Sequence, residues 1–248
     1  MGLRRRLNEV ECVFRIHLAR LRVEAGPFIL AALIFPTAIY LFAQAIGNTT
    51  GQSEQQTRFL AGSITFSISL TSISWLGYLL LENRFTGRLK LFATSPLAPS
   101  SYLFGILTFA LAQTALGTSA LLIVARFFGI DLKLSPLPFI VAIGLGALCL
   151  CGLSVVVATR ARSFSEGSLL TDALGAGLVF LAPVYYRAEV LPRLMRPIAE
   201  WLPTACVERA ILCALRGDEA PMADFLALFA MTGIALALGV RSLRWTED

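Results

Sequence analysis

Histidine occurs once and lysine twice in this chain of 248 residues, and charged residues of every kind make up only 15% of it. A soluble domain carries roughly a quarter charged residues, so so low a share argues against one. The two lysines, Lys90 and Lys133, each follow a leucine. A phosphate loop G-x-x-x-x-G-K-[ST] needs glycine there, so the chain holds no such loop. The single histidine, His17, rules out an H-E-x-x-H zinc motif, and no G-x-S-x-G elbow occurs. Five cysteines never form a C-x-x-C pair and give no disulfide or metal framework. Four of them lie in or beside apolar runs and read as small hydrophobes. Ionisable groups near the bilayer midplane are also missing. Asp172 and Arg126 fall near span ends, where they can snorkel or cap, which leaves ion-coupled transport poorly supported.

What is abundant is apolar: 56% of the residues, at a mean hydropathy of +0.73. They come in blocks long enough for the ~20 residues that cross hydrocarbon. The blocks cover residues 26–46, 59–81, 101–128, 136–159, 169–186 and 221–240. The expected fold is an all-α integral membrane protein with about six transmembrane helices. Residues 1–25 form an N-terminal amphipathic segment and residues 26–248 the membrane domain, with no further soluble domain expected and no internal repeat. In the first segment Leu3, Leu7, Val10, Phe14, Leu18 and Leu21 share one helical face, with Arg4, Arg5, Arg15, Arg20 and Arg22 mostly off it. That pattern fits a helix lying in the headgroup plane, or a solvated arm. Ala43-Gln44-Ala45 has the form of a signal-peptidase site, but the long charged region before it contains acids, and we read it as uncleaved. Lysine and arginine concentrate in alternate loops, which places both termini in the cytoplasm. The net charge of +5 therefore speaks of orientation rather than of nucleic acid.

Two stretches invite a functional reading. In the second block Ser63, Ser67, Thr71, Ser74 and Tyr78 recur at i, i+4, i+8, i+11 and i+15, with Ser69 and Ser72 opposite. Hydroxyls in a bilayer turn toward helices or water rather than lipid, so the stripe is either a conduit wall or ordinary helix packing. After that block, Glu82, Arg84, Gly87, Arg88, Leu89, Leu91, Phe92 and Ser95-Pro96 form a cytoplasmic loop. Gly87 permits a tight turn, a short amphipathic helix follows, and Pro96 and Pro99 restart the chain. Such a helix can dock on a partner or lie on the membrane.

Here the sequence resembles the permease subunits of type-2 ABC exporters, the ABC-2 type transporter family. Those proteins place an acid at the end of span two, then a glycine, a leucine-rich short helix and Ser-Pro or Thr-Pro, as Glu82, Gly87, Leu89, Leu91 and Ser95-Pro96 do. Thr86 precedes the glycine where the family usually has a threonine after it, and Arg88 holds that place. A second resemblance follows span five, in residues 188–192, 198–204 and Glu208-Arg209. The resemblance implies a cytoplasmic coupling helix between spans two and three that meets a separate ABC ATPase through Glu82, Arg84, Gly87, Arg88, Leu89, Leu91 and Phe92. It implies short re-entrant helices between spans five and six, an outer cap including Leu191, Pro192, Leu194, Ile198, Trp201 and Pro203, though a surface helix would also fit. It further implies a second permease subunit, identical or related. The pathway would lie between the two halves, with Ser67, Thr71, Ser74, Trp75 and Tyr78 facing it and Phe180 and Tyr185 as further candidates. No cofactor is expected in this chain; ATP and Mg would sit on the partner. The expected function is export of an amphiphilic, drug-like or lipid-linked substrate across a bacterial inner membrane. The alternatives are a secondary transporter or channel, and a membrane assembly factor.

Overall fold

Inside hydrocarbon every backbone N–H and C=O must find a partner within the protein, which leaves helices or a closed barrel. This chain takes helices. The computed structural model describes residues 3–23, 25–47, 53–95, 97–130, 132–186, 188–219 and 221–242, and among them there is no strand. Pro96, residues 48–52 and the tail 243–248 lie outside the described residues. Helix α1 covers Leu3–Val23. Helix α2 (Ala25–Ile29), a π-helical turn (Leu30–Ile34) and α3 (Phe35–Gly47) continue one another. So do α4 (Ser53–Ser69), a second π-helical turn (Leu70–Trp75) and α5 (Leu76–Phe85). Then come α6 (Arg88–Thr94), α7 (Pro99–Phe127), α8 (Pro136–Arg160) and α9 (Phe164–Leu181). A 3-10 turn (Ala188–Val190), α10 (Arg196–Glu200), α11 (Pro203–Arg216) and α12 (Met222–Ser242) complete the order.

Among the described residues, five helices are long and apolar enough to cross a membrane: Gln55–Phe85, Pro99–Phe127, Pro136–Arg160, Phe164–Leu181 and Met222–Ser242. The expected first span is helical from Ala25 to Gly47, but its continuous apolar part is the shorter Ala32–Ala45. Pro36 has no N–H to return to the Ala32 carbonyl, and the π-helical turn ends immediately before it, with the Phe35 N–H bonded to the Leu30 carbonyl. The fifth span is displaced from its expected 169–186. Ser163 caps it by accepting from the Glu166 N–H at 3.2 Å, an S-x-x-E signal, and it stops at Leu181, before Ala182 and Pro183.

The spans pack around α8. At Gly152 the backbone of α12 comes so close that a Cβ would lie 2.7 Å from the Ala235 carbonyl carbon. Helix α1 packs on α7 more firmly than a helix resting on headgroups. Val13 is fully buried, and Phe14 and His17 meet Phe109 at 6.2 and 5.7 Å between ring centroids. The buried line is thus Val13 and His17; Leu7 and Leu18 of the expected stripe remain exposed. Glu9 accepts from the Ser101 hydroxyl at 2.7 Å, tying α1 to the first turn of α7, and that hydroxyl chiefly holds its carboxyl below the usual range. His17 donates from Nδ1 to the Val13 carbonyl at 2.8 Å. Burial holds its imidazole below the ordinary value.

Candidate coupling elbow and transport groove

At one end of the bundle the chain turns from α5 into α6 through Gly87, whose φ of +75° is left-handed and suits glycine. Glu82, in the last turn of α5, is the hub of this elbow. It pairs with Arg20 of α1, and its Oε1 lies 3.2 Å from Arg88 Nη1 at the start of α6. Arg84 faces the other way. Its Nη1 donates to the carbonyls of Ala158, Thr159 and Ala161 at 3.0, 3.0 and 2.8 Å, at the C-terminus of α8. Helix α6 is two-sided. Leu89 and Phe92 pack into the core, Phe92 with its ring 5.0 Å from that of Tyr102, whereas Leu91 is 71% exposed. Of the residues expected to meet a partner, then, Leu89, Phe92 and Arg84 are turned into the protein. The face open to a partner is Arg88, Lys90, Leu91 and Thr94.

The hydroxyl stripe divides at the second π-helical turn. Ser67 and Thr71 are buried, Thr71 sharing a 3.0 Å hydrogen bond with Thr114 of α7. Ser69 donates to the Gly175 carbonyl of α9 at 2.9 Å, and Ser154 to the Ile73 carbonyl at 2.9 Å. Ser74 and Trp75 are half-buried and Tyr78 is exposed. An even 3.6-residue period put all five on one face, but a π turn holds more residues and rotates everything after it. Ser67 and Thr71 are therefore covered by the chain's own α7 and cannot line a surface shared with a second subunit.

Beside that stripe the side chains are aromatic. Phe28 of α2, Trp75, Tyr78 and Phe164 of α9 follow one another at centroid distances of 6.0, 6.3 and 5.4 Å. Farther from the elbow, Phe35 of α3, Phe66 of α4 and Phe180 of α9 do the same at 5.8 and 6.5 Å. The rings bridge the first helical run and α9 across α4 and α5; Phe28 and Phe66 are buried beneath and Phe35, Tyr78 and Phe180 are exposed, and this aromatic face is the candidate groove. Phe180 is 62% exposed on it. Tyr185 lies beyond the end of α9, packed against Gly62 with its hydroxyl buried, and so is not on the groove.

At the far end α11 dips into the bundle. Val207 sits against Gly146, ten residues into α8, while the last α11 carbonyls accept from the Lys133 and Ser135 N–H groups beside the α8 N-terminus. Of the expected cap, Leu194, Ile198 and Trp201 are exposed, Leu191 is half-buried, Pro192 lies exposed between the 3-10 turn and α10, and Pro203 starts α11. The packed element is α11 itself, which prolines and the polar pair Glu208-Arg209 had disguised. A polar cluster missed by sequence reading surrounds it: Arg58 Nε lies 3.7 Å from Glu208 Oε1, and Arg209 Nε donates to both Asp224 oxygens at 3.1 Å. These residues line a cavity of about 290 Å³ together with Glu200 and Trp201. Only the Glu208-Arg209 pair had drawn notice in the sequence.

Among the described residues no group of three or more His, Cys, Asp or Glu side chains could hold a metal ion. The family described as ABC-2 type transporter matches residues 12–215, which takes in the elbow, the groove and α11. The chain is also 26% identical over 210 residues to "Putative transport permease YvfS" of Bacillus subtilis (strain 168), covering 82% of this chain and 84% of that protein. An all-helical membrane bundle, an elbow between α5 and α6 and a match over most of its length agree: this chain belongs to the ABC-2 type transporter family.

Proposed function

We propose that the chain is the permease subunit of an ATP-driven exporter, and that α6 is where a separate ABC ATPase takes hold. The family carries the coarser part: its members are membrane subunits of transporters, generally not catalytic themselves, and an ABC ATPase partner goes with them. ATP and Mg then belong to that partner, in keeping with the missing phosphate loop. The observation that supports α6 is its two-sidedness. Leu89 and Phe92 anchor it to the core while Arg88, Lys90 and Leu91 stand outward, and Glu82 ties it to α1. A displacement of α6 is thereby passed on rather than absorbed. The Lys/Arg count supports reading this end, and both termini, as cytoplasmic, and the membrane is read as a bacterial inner membrane.

A second permease subunit, identical or related, closes the aromatic groove from its open side. Trp75, Tyr78, Phe164 and Phe180 then face the pathway with Ser74. Flat aromatic walls with few hydroxyls suit an amphiphilic, drug-like or lipid-linked cargo better than a bare ion, since such rings bury apolar area and offer π faces. Leu91→Asp tests the reading, because an exposed residue can change without disturbing the fold. We expect the variant to insert normally but to lose co-purification with its partner ABC ATPase by about tenfold or more, as for an interface anchor. Unchanged co-purification and export would refute it, as would cargo movement by the purified chain without any ATPase.

A further inference from the structure

Arg84 had been expected to meet the ATPase, yet its guanidinium is half-buried and turned into the protein. Nη1 gathers three carbonyls from the end of α8 and the residue after it, while the guanidinium carbon lies 5.2 Å from the Phe85 ring centroid. The last carbonyls of a helix have no partner within it and carry partial negative charge, so a cation there is held by charge as well as by hydrogen bonds. Only Ala161, Arg162 and Ser163 separate the end of α8 from the start of α9. The same corner is gripped nearby: Leu81 presses so closely on Gly167 that a Cβ there would meet it at 2.4 Å, and Tyr78 abuts Phe164.

We propose that Arg84 is the positioning residue that makes the α8–α9 corner follow the elbow, so that movement delivered to α6 reaches the aromatic wall of the groove. This deepens the reading of α6 as an ATPase contact and rests on it for the source of the movement. Glu82 and Arg84 divide the work. Glu82 links the elbow to α1 and α6, and Arg84 links it to the α8–α9 corner, from which α9 carries Phe164 and Phe180. Arg84 then touches neither the ATPase nor cargo, and its loss uncouples rather than unbinds.

The test uses spin labels at Thr86 on the elbow and at exposed Leu169 on α9, read by pulsed dipolar spectroscopy. In the otherwise native chain we expect one narrow distance, the same with and without ATP and the ATPase. Arg84→Ala is expected to broaden it even in the chain alone. In the complex the variant should keep its co-purification and its KM for ATP while transport per ATP hydrolysed falls about tenfold, within the usual range of coupling between sites. If Arg84→Ala does not insert, Arg84→Lys carries the test with the same expectation, since one ammonium cannot reproduce the planar guanidinium fork. A distance as narrow as native in the variant overturns the proposal, and so does loss of ATPase binding, which would make Arg84 a contact residue. A native chain that binds no ATPase overturns the reading of α6 alone, because the distance in the isolated chain still decides the role of Arg84.

Discussion

Adding one methyl group to α8 should have opposite effects at two glycines eight residues apart. At Gly152 a Cβ would lie 2.7, 2.8 and 2.9 Å from the carbonyl carbon, Cβ and carbonyl oxygen of Ala235. None of these is the end of a flexible side chain, so α8 and α12 must move apart by roughly 0.7–1 Å to restore ordinary carbon contacts. Overpacking of this kind costs about 1–3 kcal/mol, while alanine returns about 1 kcal/mol over glycine inside a helix. The net for Gly152→Ala is a loss of up to roughly 2 kcal/mol. At Gly144 a Cβ would meet nothing within 4 Å, so Gly144→Ala keeps the gain of up to about 1 kcal/mol. For a chain of this size each kcal/mol moves the melting temperature by about 2–4 °C. Gly152→Ala should therefore melt lower by up to roughly 8 °C and Gly144→Ala higher by up to about 4 °C. Cys149, Cys151 and Cys206 are buried, so a thiol-reactive fluorogenic maleimide reports the melt in detergent without added labels. A Gly152→Ala protein melting above the parent, as Gly144→Ala should, would refute the backbone contact between α8 and α12.

Glu208 gives a pH dependence with a definite sign. It lies in α11, outside the spans; burial pushes its carboxyl up to about 7, against the opposing pull of Arg58, Arg209 and Arg216. Between about pH 4.5 and 7 the folded chain keeps a proton that the unfolded chain has lost, so this residue makes stability fall as pH rises through that window and level off above it, by about 3 kcal/mol on an order-of-magnitude basis. Glu208→Gln should flatten that slope and melt higher than the parent at pH 8; an unchanged slope would count against the buried neutral acid. At Gly87, alanine would have to adopt φ near +75°, which costs roughly 1–2 kcal/mol. That loss falls on the elbow, so Gly87→Ala should weaken ATPase-coupled transport severalfold and barely change the melt of the spans.

The lipid-embedded helices could be read from the sequence because an apolar block has few ways to exist. Five of them appear within a few residues of where the apolar runs lie. Helix α6 was legible too, since Gly87 and the leucines behind it leave little else to form. The groove was not, for a local reason: a π-helical turn leaves no mark in composition, and at Leu70–Trp75 it turns the two ends of the hydroxyl stripe toward different neighbours. Helix α11 escaped for the opposite reason. Its buried Glu208 and partly buried Arg209 look like surface residues until Arg58 and Asp224, from distant parts of the chain, are brought beside them. The S-x-x-E signal at Ser163 and Glu166 was available and would have placed the start of α9 correctly.

The shortness of α9 bears on the bilayer itself. Its 18 residues rise about 27 Å, a few ångströms less than a typical hydrocarbon layer of about 30 Å, whereas the 31 residues of Gln55–Phe85 have length to spare. A span this short favours local thinning of the lipid beside it. Such thinning falls along one wall of the aromatic groove, where, for the lipid-linked cargo proposed above, it lowers the height a polar headgroup must cross between leaflets. Acyl-chain length in the surrounding membrane becomes, on this geometry, a control on transport rate that needs no change in the protein.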